Sequence, residues 1–213
     1  MTRVLPSTLT FACTGSRPEP YAAGPSLELD LRIVDGTGRR VHAIALRVQV
    51  RIDPRRRAHT PDEAARLTGL FGEPARWTET LNPLQLATVP VMVTSFTGET
   101  TVPVAVPLSY DLDVACHRYL SALDAGVIPL VLLFSGTLFY AGDDGVQVGL
   151  VSWSEEAAHD LPVTVWRGAM DAHFPGSGWV RLRRDTLDRL AAYRAEHALS
   201  WDAAVTSLLG GAP

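Results

Sequence analysis

Residues 110–140 read YDLDVACHRYLSALDAGVIPLVLLFSGTLFY, and this stretch decides the class of the fold. Its first half predicts an amphipathic helix over residues 111–125, because apolar side chains recur there with a helical period. Its second half is the most apolar run of the chain, with no charge between Asp124 and Asp143. Such a run must be buried in a core, in a partner or in a membrane. Residues 128–140 are too few to span a bilayer, so we expect no membrane insertion.

Two segments before this stretch alternate apolar and polar residues with the period of half-buried strands. They are residues 27–33 and 44–52, and residues 35–38 (Asp-Gly-Thr-Gly) supply turn chemistry between them. We therefore predict an antiparallel hairpin. Residues 84–96 and 100–108 are rich in Val and Thr and predict a second hairpin. Its prolines cannot donate ladder hydrogen bonds, so its strands are expected to lie at an edge or to be interrupted.

The apolar run itself predicts one arm of a third hairpin. Residues 130–140 pair in this prediction with residues 146–153 across Gly142-Asp143-Asp144-Gly145, a strong turn signal. We expect residues 154–213 to cover the exposed face of the run. Upstream, a short helix ending near Gly72 is predicted to begin with a capping box, in which Thr60 caps the helix and Glu63 reaches back.

Together these elements predict an α+β fold. An antiparallel sheet of two hairpins plus a third is packed by the central helix, and a helical C-terminal extension follows. The predicted organisation is an irregular lead-in over residues 1–25, the sheet and central helix over residues 26–153, and a helical extension over residues 154–213 packed on the same domain.

Composition narrows the function. The chain of 213 residues is 46% hydrophobic and 20% charged, as in an ordinary globular protein. Its net charge of -4 argues against nucleic-acid binding, which requires a basic field. All 19 basic residues are arginine. Cys13 and Cys116 lie far apart and are expected to be reduced thiols, and residues 1–20 do not resemble a signal peptide, so we expect a cytoplasmic protein.

No motif in the sequence predicts catalysis or a cofactor. The six histidines are scattered singly, and there is no nucleophile elbow, phosphate-binding loop or dinucleotide fingerprint. Each pair of acids has a structural explanation at a helix start or a turn. An enzyme or metal-handling factor remains the alternative, with a site assembled from the scattered residues Cys116, His117, Asp171 and His173. In the simplest reading of the adjacent pair, Cys116 faces the core and His117 faces water.

Two segments are candidates for binding a protein partner. Residues 165–175 are dense in the Trp, Met and Phe that anchor interfaces, with Trp166, Met170 and Phe174 as the candidate contacts. A core helix with a polar back explains the same segment. The second candidate is the basic run Arg55, Arg56 and Arg57. A phosphate or an acidic partner would suit this run, and a solvated loop beside acidic neighbours would also explain it. A structural subunit of an obligate complex and a homo-oligomer both stay open.

The order of elements over residues 9–140 resembles that of the SecB-type export chaperones. The matching pieces are SLELDLRIV, VHAIALRVQVRI, the 84–108 segment and the 110–140 stretch. The resemblance implies a four-stranded antiparallel sheet, a long helix and an apolar extended segment. Residues 53–83 and 142–213 depart from that pattern, which puts a chaperone-like tetramer in doubt.

Over nearly its whole length the chain is similar to an uncharacterised actinobacterial family. The phrases that carry this resemblance are LRVQVRIDPRRR, LFGEPARW, TLNPLQ, YDLDVA, PLVLLFSGTLFY, LPVTVWRGAMDAHFP and GWVRLRRDTLDRL. The family's genes often lie near those of [NiFe] hydrogenases, which implies an accessory role and assigns no catalytic residue. We therefore expect a non-enzymatic accessory or chaperone-like protein that binds another polypeptide, such as a hydrogenase subunit or maturation factor.

Overall fold

The computed structural model describes residues 9–108, 114–143, 145–177, 180 and 182–210. The chain divides into two compact units, Met1–Pro175 and Gly176–Pro213. Strands dominate the first unit and form two antiparallel sheets, whereas the described residues of the second unit are mainly helical. The α+β class with antiparallel sheets is therefore confirmed.

The strands of the first unit run antiparallel to their neighbours. Their bounds are β1 (Leu9–Pro18), β2 (Ser26–Asp35), β3 (Arg40–Ile52), β4 (Leu84–Val93), β5 (Phe96–Thr97), β6 (Glu99–Pro107), β7 (Val127–Gly142), β8 (Gly145–Val151) and β9 (Glu156–Pro162). A three-stranded sheet has the order β1-β2-β6. A six-stranded sheet follows the path β4-β3-β7-β8, with β5 beside β3 and β9 beside β7.

Six α-helices lie within the described residues. They are α1 (Pro61–Phe71), α2 (Trp77–Thr80), α3 (Val114–Ser121) and α4 (Val163–Asp171) in the first unit, and α5 (Arg184–Glu196) and α6 (Trp201–Gly210) in the second. None of these described helices combines the length and apolar character that crossing a bilayer requires. That α5 and α6 belong to an extension packed on the first unit stays a prediction.

Helices α1 and α3 confirm two local predictions. At the start of α1 the Thr60 hydroxyl accepts the N–H of Glu63, and the Glu63 carboxylate accepts the N–H of Thr60, so the capping box is present. Helix α3 confirms residues 114–121 of the predicted central helix, whereas residues 122–125 are not helical, so the predicted end of the helix is wrong. Residues 111–113 of that prediction lie outside the described residues.

The two sheets enclose one hydrophobic core. Phe11 of β1 stacks on Phe134 of β7 with ring centroids 4.2 Å apart. At the sides of the sandwich, β1 contacts β9 and β4 contacts β6. The inward side chains of the apolar run are therefore buried against the three-stranded sheet. Strand β9 and helix α4, both from the predicted extension, add Leu161, Val163 and Trp166 to the same core.

Strands β2 and β3 do not form the predicted hairpin. Strand β2 pairs with β1 and β6, whereas β3 pairs with β4, β5 and β7, so the prediction is wrong. The segment between them carries the chain from one sheet to the other. Asp35 anchors this passage, because its N–H bonds the Gly98 carbonyl and its carboxylate accepts the Thr37 hydroxyl at 2.6 Å. Alternation identifies the buried face of a strand but not its neighbour, and both sheets bury a face in the same core.

The second predicted hairpin is also wrong, whereas the third is confirmed. Strand β4 belongs to the six-stranded sheet and β6 to the three-stranded sheet, although each ends its sheet as the prolines predicted. Strands β7 and β8 pair as expected, with Gly142 opposite Gly145. Asp144 of the predicted turn lies outside the described residues. A two-residue connection depends only on local geometry, which explains this success.

Two further segments form strands that were not predicted, because pairing with a neighbouring strand outweighs the conformation that their own residues favour. Residues 9–18, expected to be irregular, form β1, in which Leu9 and Phe11 are buried and a bulge follows Cys13. Residues 156–162, expected to be helical, form β9 beside β7. The Glu and Ala residues of β9 favour a helix, but Ala157 and Leu161 alternate toward the core.

Candidate interaction surface

The aromatic candidates on and after α4 lie mostly inside the protein. Trp166 is only 7% exposed and belongs to the core, and Met170 packs against that core. Phe174 follows the helix and is half-buried. Helix α4 contacts β1, β2 and β9, so its apolar side faces the sandwich. Trp166 therefore offers almost no surface to a partner, and a role in partner binding for these three residues stays a prediction.

The three arginines of the basic run have different environments. Arg55 is exposed, and its guanidinium bonds the Leu81 carbonyl and, at 3.1 Å, the Asn82 side chain. Arg56 is exposed. The Arg57 side chain is only 9% exposed, and it donates to the carboxylate of Glu63 at 2.5 Å and to the carbonyl of Val127 at 2.6 Å. Arg57 therefore has a structural role, because it connects Glu63 to the backbone of β7. Only Arg55 and Arg56 of the basic run are exposed.

The buried carboxylate of Glu63 joins three segments of the chain. Besides the Arg57 guanidinium, it accepts the N–H of Thr60 at 3.1 Å and the N–H of Asp124 at 2.9 Å. Burial alone would raise the pKa of Glu63, but the two N–H groups and the guanidinium outweigh burial and lower it. Glu63 is therefore charged and fully satisfied, as a structural ion pair requires.

An aromatic cluster lies next to this ion pair. The His59 ring packs edge-on against Trp77 and Tyr119, and its Nε2 lies 3.2 Å from the Tyr119 hydroxyl. Burial, followed by the charge of Arg57, lowers the pKa of His59. For Tyr119 the charged form is the anion, and burial therefore raises its pKa. Both groups therefore favour their neutral forms, which suits a packed cluster.

The scattered residues of the alternative site do not form a metal centre. Cys116 is buried and directs its thiol to the Gln85 carbonyl at 3.1 Å. The two ring nitrogens of His173 lie 3.3 Å and 3.0 Å from the carbonyl oxygens of Ala169 and Ala22. Among the described residues, no group of three or more His, Cys, Asp or Glu side chains is placed to hold a metal ion. His117, predicted to face water, is half-buried, and burial lowers its pKa.

The outer face of the three-stranded sheet is charged and internally paired. Arg17 of β1 forms ion pairs with Glu28 and Asp30 of β2. Arg32 of β2 pairs with Glu99 of β6. These side chains come from alternate positions of the strands, which is the wet-face pattern that the sequence of β2 predicted.

On the outer face of the six-stranded sheet, β3 contributes Arg47, Gln49 and Arg51, but another part of this face is apolar instead. We call it the apolar outer face and define it by Met92 of β4, Phe139 of β7, and Val146, Val148 and Leu150 of β8. Four of these side chains are well exposed: Met92 68%, Val146 61%, Leu150 55% and Val148 43%. They share one face, because residues directly opposite one another in a sheet point the same way.

The pairing register makes this face continuous across four strands. Leu150 lies opposite Thr137, Thr137 opposite Ala45, and Ala45 opposite Met92. A second row runs from Val148 to Phe139 and then to Ala43. Contiguous exposed apolar surface of this kind is unusual on a protein with no partner, unlike a single exposed Leu.

A shallow pocket opens on the same face. Its volume is about 490 Å³, and its lining includes Ala45, Arg47, Pro90, Met92, Ser135 and Gly136. Gly136 is required at this point, because a Cβ there would collide with the backbone oxygen of Ala45 on the neighbouring strand. Trp153, which is 88% exposed, is the second residue after the end of β8.

The sequence matches a family profile described as a family of unknown function (DUF6084) over residues 6–213. The chain belongs to the DUF6084 family. A comparison with curated proteins finds no significant match. In this DUF6084 chain, sequence reasoning placed the partner contacts on α4 and the basic run and missed the apolar outer face. The signal was present in the alternation of Val146, Val148 and Leu150, from which we drew no prediction of a binding surface.

Proposed function

We propose that this DUF6084 protein is a non-enzymatic accessory factor that binds another polypeptide in the cytoplasm in a chaperone-like manner. The observation that supports this function is the apolar outer face. The row of residues from Leu150 to Met92 crosses four strands. Its removal from water is favourable by about 25 cal/mol for each Å² of apolar area that is buried. A polypeptide with its own apolar side chains is the natural ligand for such a surface.

The chemistry of the face suits an adaptable protein ligand. Met92 has a flexible, polarisable side chain that conforms to irregular apolar shapes. The adjoining pocket has room for a side chain of the bound polypeptide. Arg47 lines that pocket and is exposed, so its guanidinium is placed to donate hydrogen bonds to peptide carbonyls.

The two resemblances of the sequence suggest which polypeptide the protein binds. The similarity to the SecB-type chaperones suggests a client that is not yet folded. The similarity to an actinobacterial family encoded near [NiFe] hydrogenases suggests a hydrogenase subunit or maturation factor. Both belong to the proposal, and neither depends on the buried residues of α4.

The test is suppression of aggregation of a heat-unfolded reporter enzyme, measured by light scattering. We expect the wild-type protein to reduce scattering, and we expect Met92→Asp to remove most of that effect, because a charge in the row opposes apolar contact. Thr101→Asp is the matched control, since Thr101 is exposed on the charged outer face of the other sheet. Failure of the wild type to suppress aggregation, together with no hydrogenase component co-purifying from the native host, contradicts the proposal. Equal activity of Met92→Asp and wild type contradicts the assignment to this face.

A further inference from the structure

Strand β8 is the exposed end of the six-stranded sheet. It pairs with β7 on one side, and no strand within the described residues pairs with its other side. Strand β9 also pairs with β7, but over residues 127–133, so β8 and β9 lie end to end along the same strand. The second side of β8 therefore presents backbone N–H and C=O groups that no strand of the described residues pairs with.

The other sheet edges of the described chain have protection that β8 lacks. Strand β4 carries Pro90, and β6 carries Pro103 and Pro107, which cannot donate to a further strand. Strands β1 and β9 contact each other across the sandwich. Strand β8 reads GVQVGLV, with neither a proline nor a charge. An edge of this kind aggregates unless something permanent covers it.

The hairpin geometry shows which residues of β8 direct their backbone groups outward. Two residues separate Gly142 from its partner Gly145, and a turn of this length closes on a hydrogen-bonded pair. Hydrogen-bonded and non-bonded pairs then alternate along the strands. The N–H and C=O groups of Val146, Val148 and Leu150 consequently point away from β7.

We propose that β8 pairs with β8 of a second copy of this chain, antiparallel, about a two-fold axis at Val148. In this register Val148 lies opposite itself and Val146 lies opposite Leu150 of the second copy. All three residues direct their backbone groups outward, so every facing pair can exchange hydrogen bonds. A second copy is also a cover that is present whenever the chain itself is present.

The side chains are complementary to themselves in this register. On the apolar outer face, Val146 meets Leu150 and Val148 meets Val148, so apolar side chains adjoin apolar side chains. On the inner side, Gln147 meets Gly149, which leaves room for the longer side chain. The antiparallel arrangement also separates the two copies of Asp143. Asp143 of one copy lies near the position of Trp153 in the second copy, not near the second Asp143. Self-complementarity of this kind is what a two-fold interface demands.

Pairing through β8 joins the two six-stranded sheets into one and places their apolar outer faces side by side. The inference is independent of the proposed function, since it concerns the edge of β8 and is tested by mass rather than by client binding.

The test uses opposite charges at the two-fold axis. Wild-type protein, Val148→Lys and Val148→Glu are analysed by light scattering coupled to size-exclusion chromatography over a wide range of concentrations. We expect a wild-type dimer. Each variant alone should dimerise about a hundredfold more weakly, because like charges face each other at position 148. An equimolar mixture of the two variants should restore the dimer, which a variant that had failed to fold would not do.

Chemistry then checks the register. The natural sequence contains no lysine, so a carbodiimide should join the introduced amine of one variant to the introduced carboxylate of the other, and peptide mapping should locate the bond. Met92→Lys is the control, since Met92 is exposed on the same face but lies on β4, and it should remain a dimer. A monomeric wild type, a Val148→Lys variant that dimerises as tightly as the wild type, or a mixture that dimerises no better than either variant alone would each overturn the proposal.

Discussion

The two outer faces of the first unit differ in chemistry although their strands alternate in the same way. On the three-stranded sheet, Arg17 and Arg32 pair with acids of neighbouring strands. On the six-stranded sheet, β3 places Arg47 and Arg51 outward, but other outward positions hold apolar side chains such as Met92 and Leu150. The first face is suited to permanent contact with water. Exposure of the apolar outer face to water is unfavourable, so contact between this face and another protein surface is favourable.

Both faces depend on the core between the sheets, so breaking that core gives the largest effect. Phe134→Ala removes the ring that stacks on Phe11, and we expect a loss of about 3–5 kcal/mol in the free energy of unfolding. Urea denaturation followed by circular dichroism measures it. Phe139→Ala is the control, because Phe139 is only half-buried on the apolar outer face and should cost less. Equal losses for the two variants would contradict the assignment of faces.

The buried ion pair between Glu63 and Arg57 should contribute more to the free energy of unfolding than the exposed pairs of the charged face do. Glu63→Gln keeps the shape of the side chain but removes its charge beside Arg57, and we expect a loss of about 1.5–3 kcal/mol at neutral pH. The folded state lowers the pKa of Glu63, so its contribution is present above the usual glutamate pKa. That contribution disappears as the pH falls through the lowered folded pKa. Unfolding curves at several acidic pH values should therefore converge for variant and wild type.

An exposed ion pair should matter far less. Arg32→Gln breaks the pair with Glu99, whose two side chains are 48% and 59% exposed, and we expect a change below about 1 kcal/mol. The difference should shrink further in high salt, because solvent ions screen the attraction. An effect as large as that of Glu63→Gln would show that the charged face is not the simple wet surface described above.

The apolar outer face should contribute least of all to the stability of the first unit. Met92→Gln should change the free energy of unfolding by no more than about 0.5 kcal/mol, because the side chain is mostly exposed. It should nevertheless reduce binding of a hydrophobic dye, measured by fluorescence, since it removes apolar surface from the row. A large loss of stability would indicate that the native chain covers Met92.

Local features of this fold could be predicted from the sequence, and non-local ones could not. The capping box of Thr60 and Glu63 and the β7–β8 hairpin each depend on neighbouring residues, and both were predicted. The burial of Cys116 followed from the helical period. The neighbours of β2 and β3 were not predictable, because one apolar face fits either sheet of a sandwich. Strand β9 was missed because its composition favours a helix and only its pairing with β7 makes it a strand.

The candidate site escaped prediction for a related reason. In β8 the apolar face of the alternation is the exposed one, and the inward positions hold Gly149 and Val151. A single sequence shows that β8 has an apolar face but does not show on which side of the sheet that face lies. The same applies to Arg57, whose basic character indicated a surface while its carboxylate partner, Glu63, lies inside.

The passage of the chain between the sheets after Asp35 has a consequence for synthesis on the ribosome. Strand β3 occupies the middle of the six-stranded sheet, yet its partner β7 lies far behind it, with Ile52 opposite Leu130 and Val41 opposite Tyr140. The growing chain must therefore hold an apolar strand with one side open until much of the protein has been made. We expect nascent chains arrested before residue 127 to be cleaved by protease within β3, and chains extended past Pro162 to resist. In this way the order of translation sets when each sheet can close.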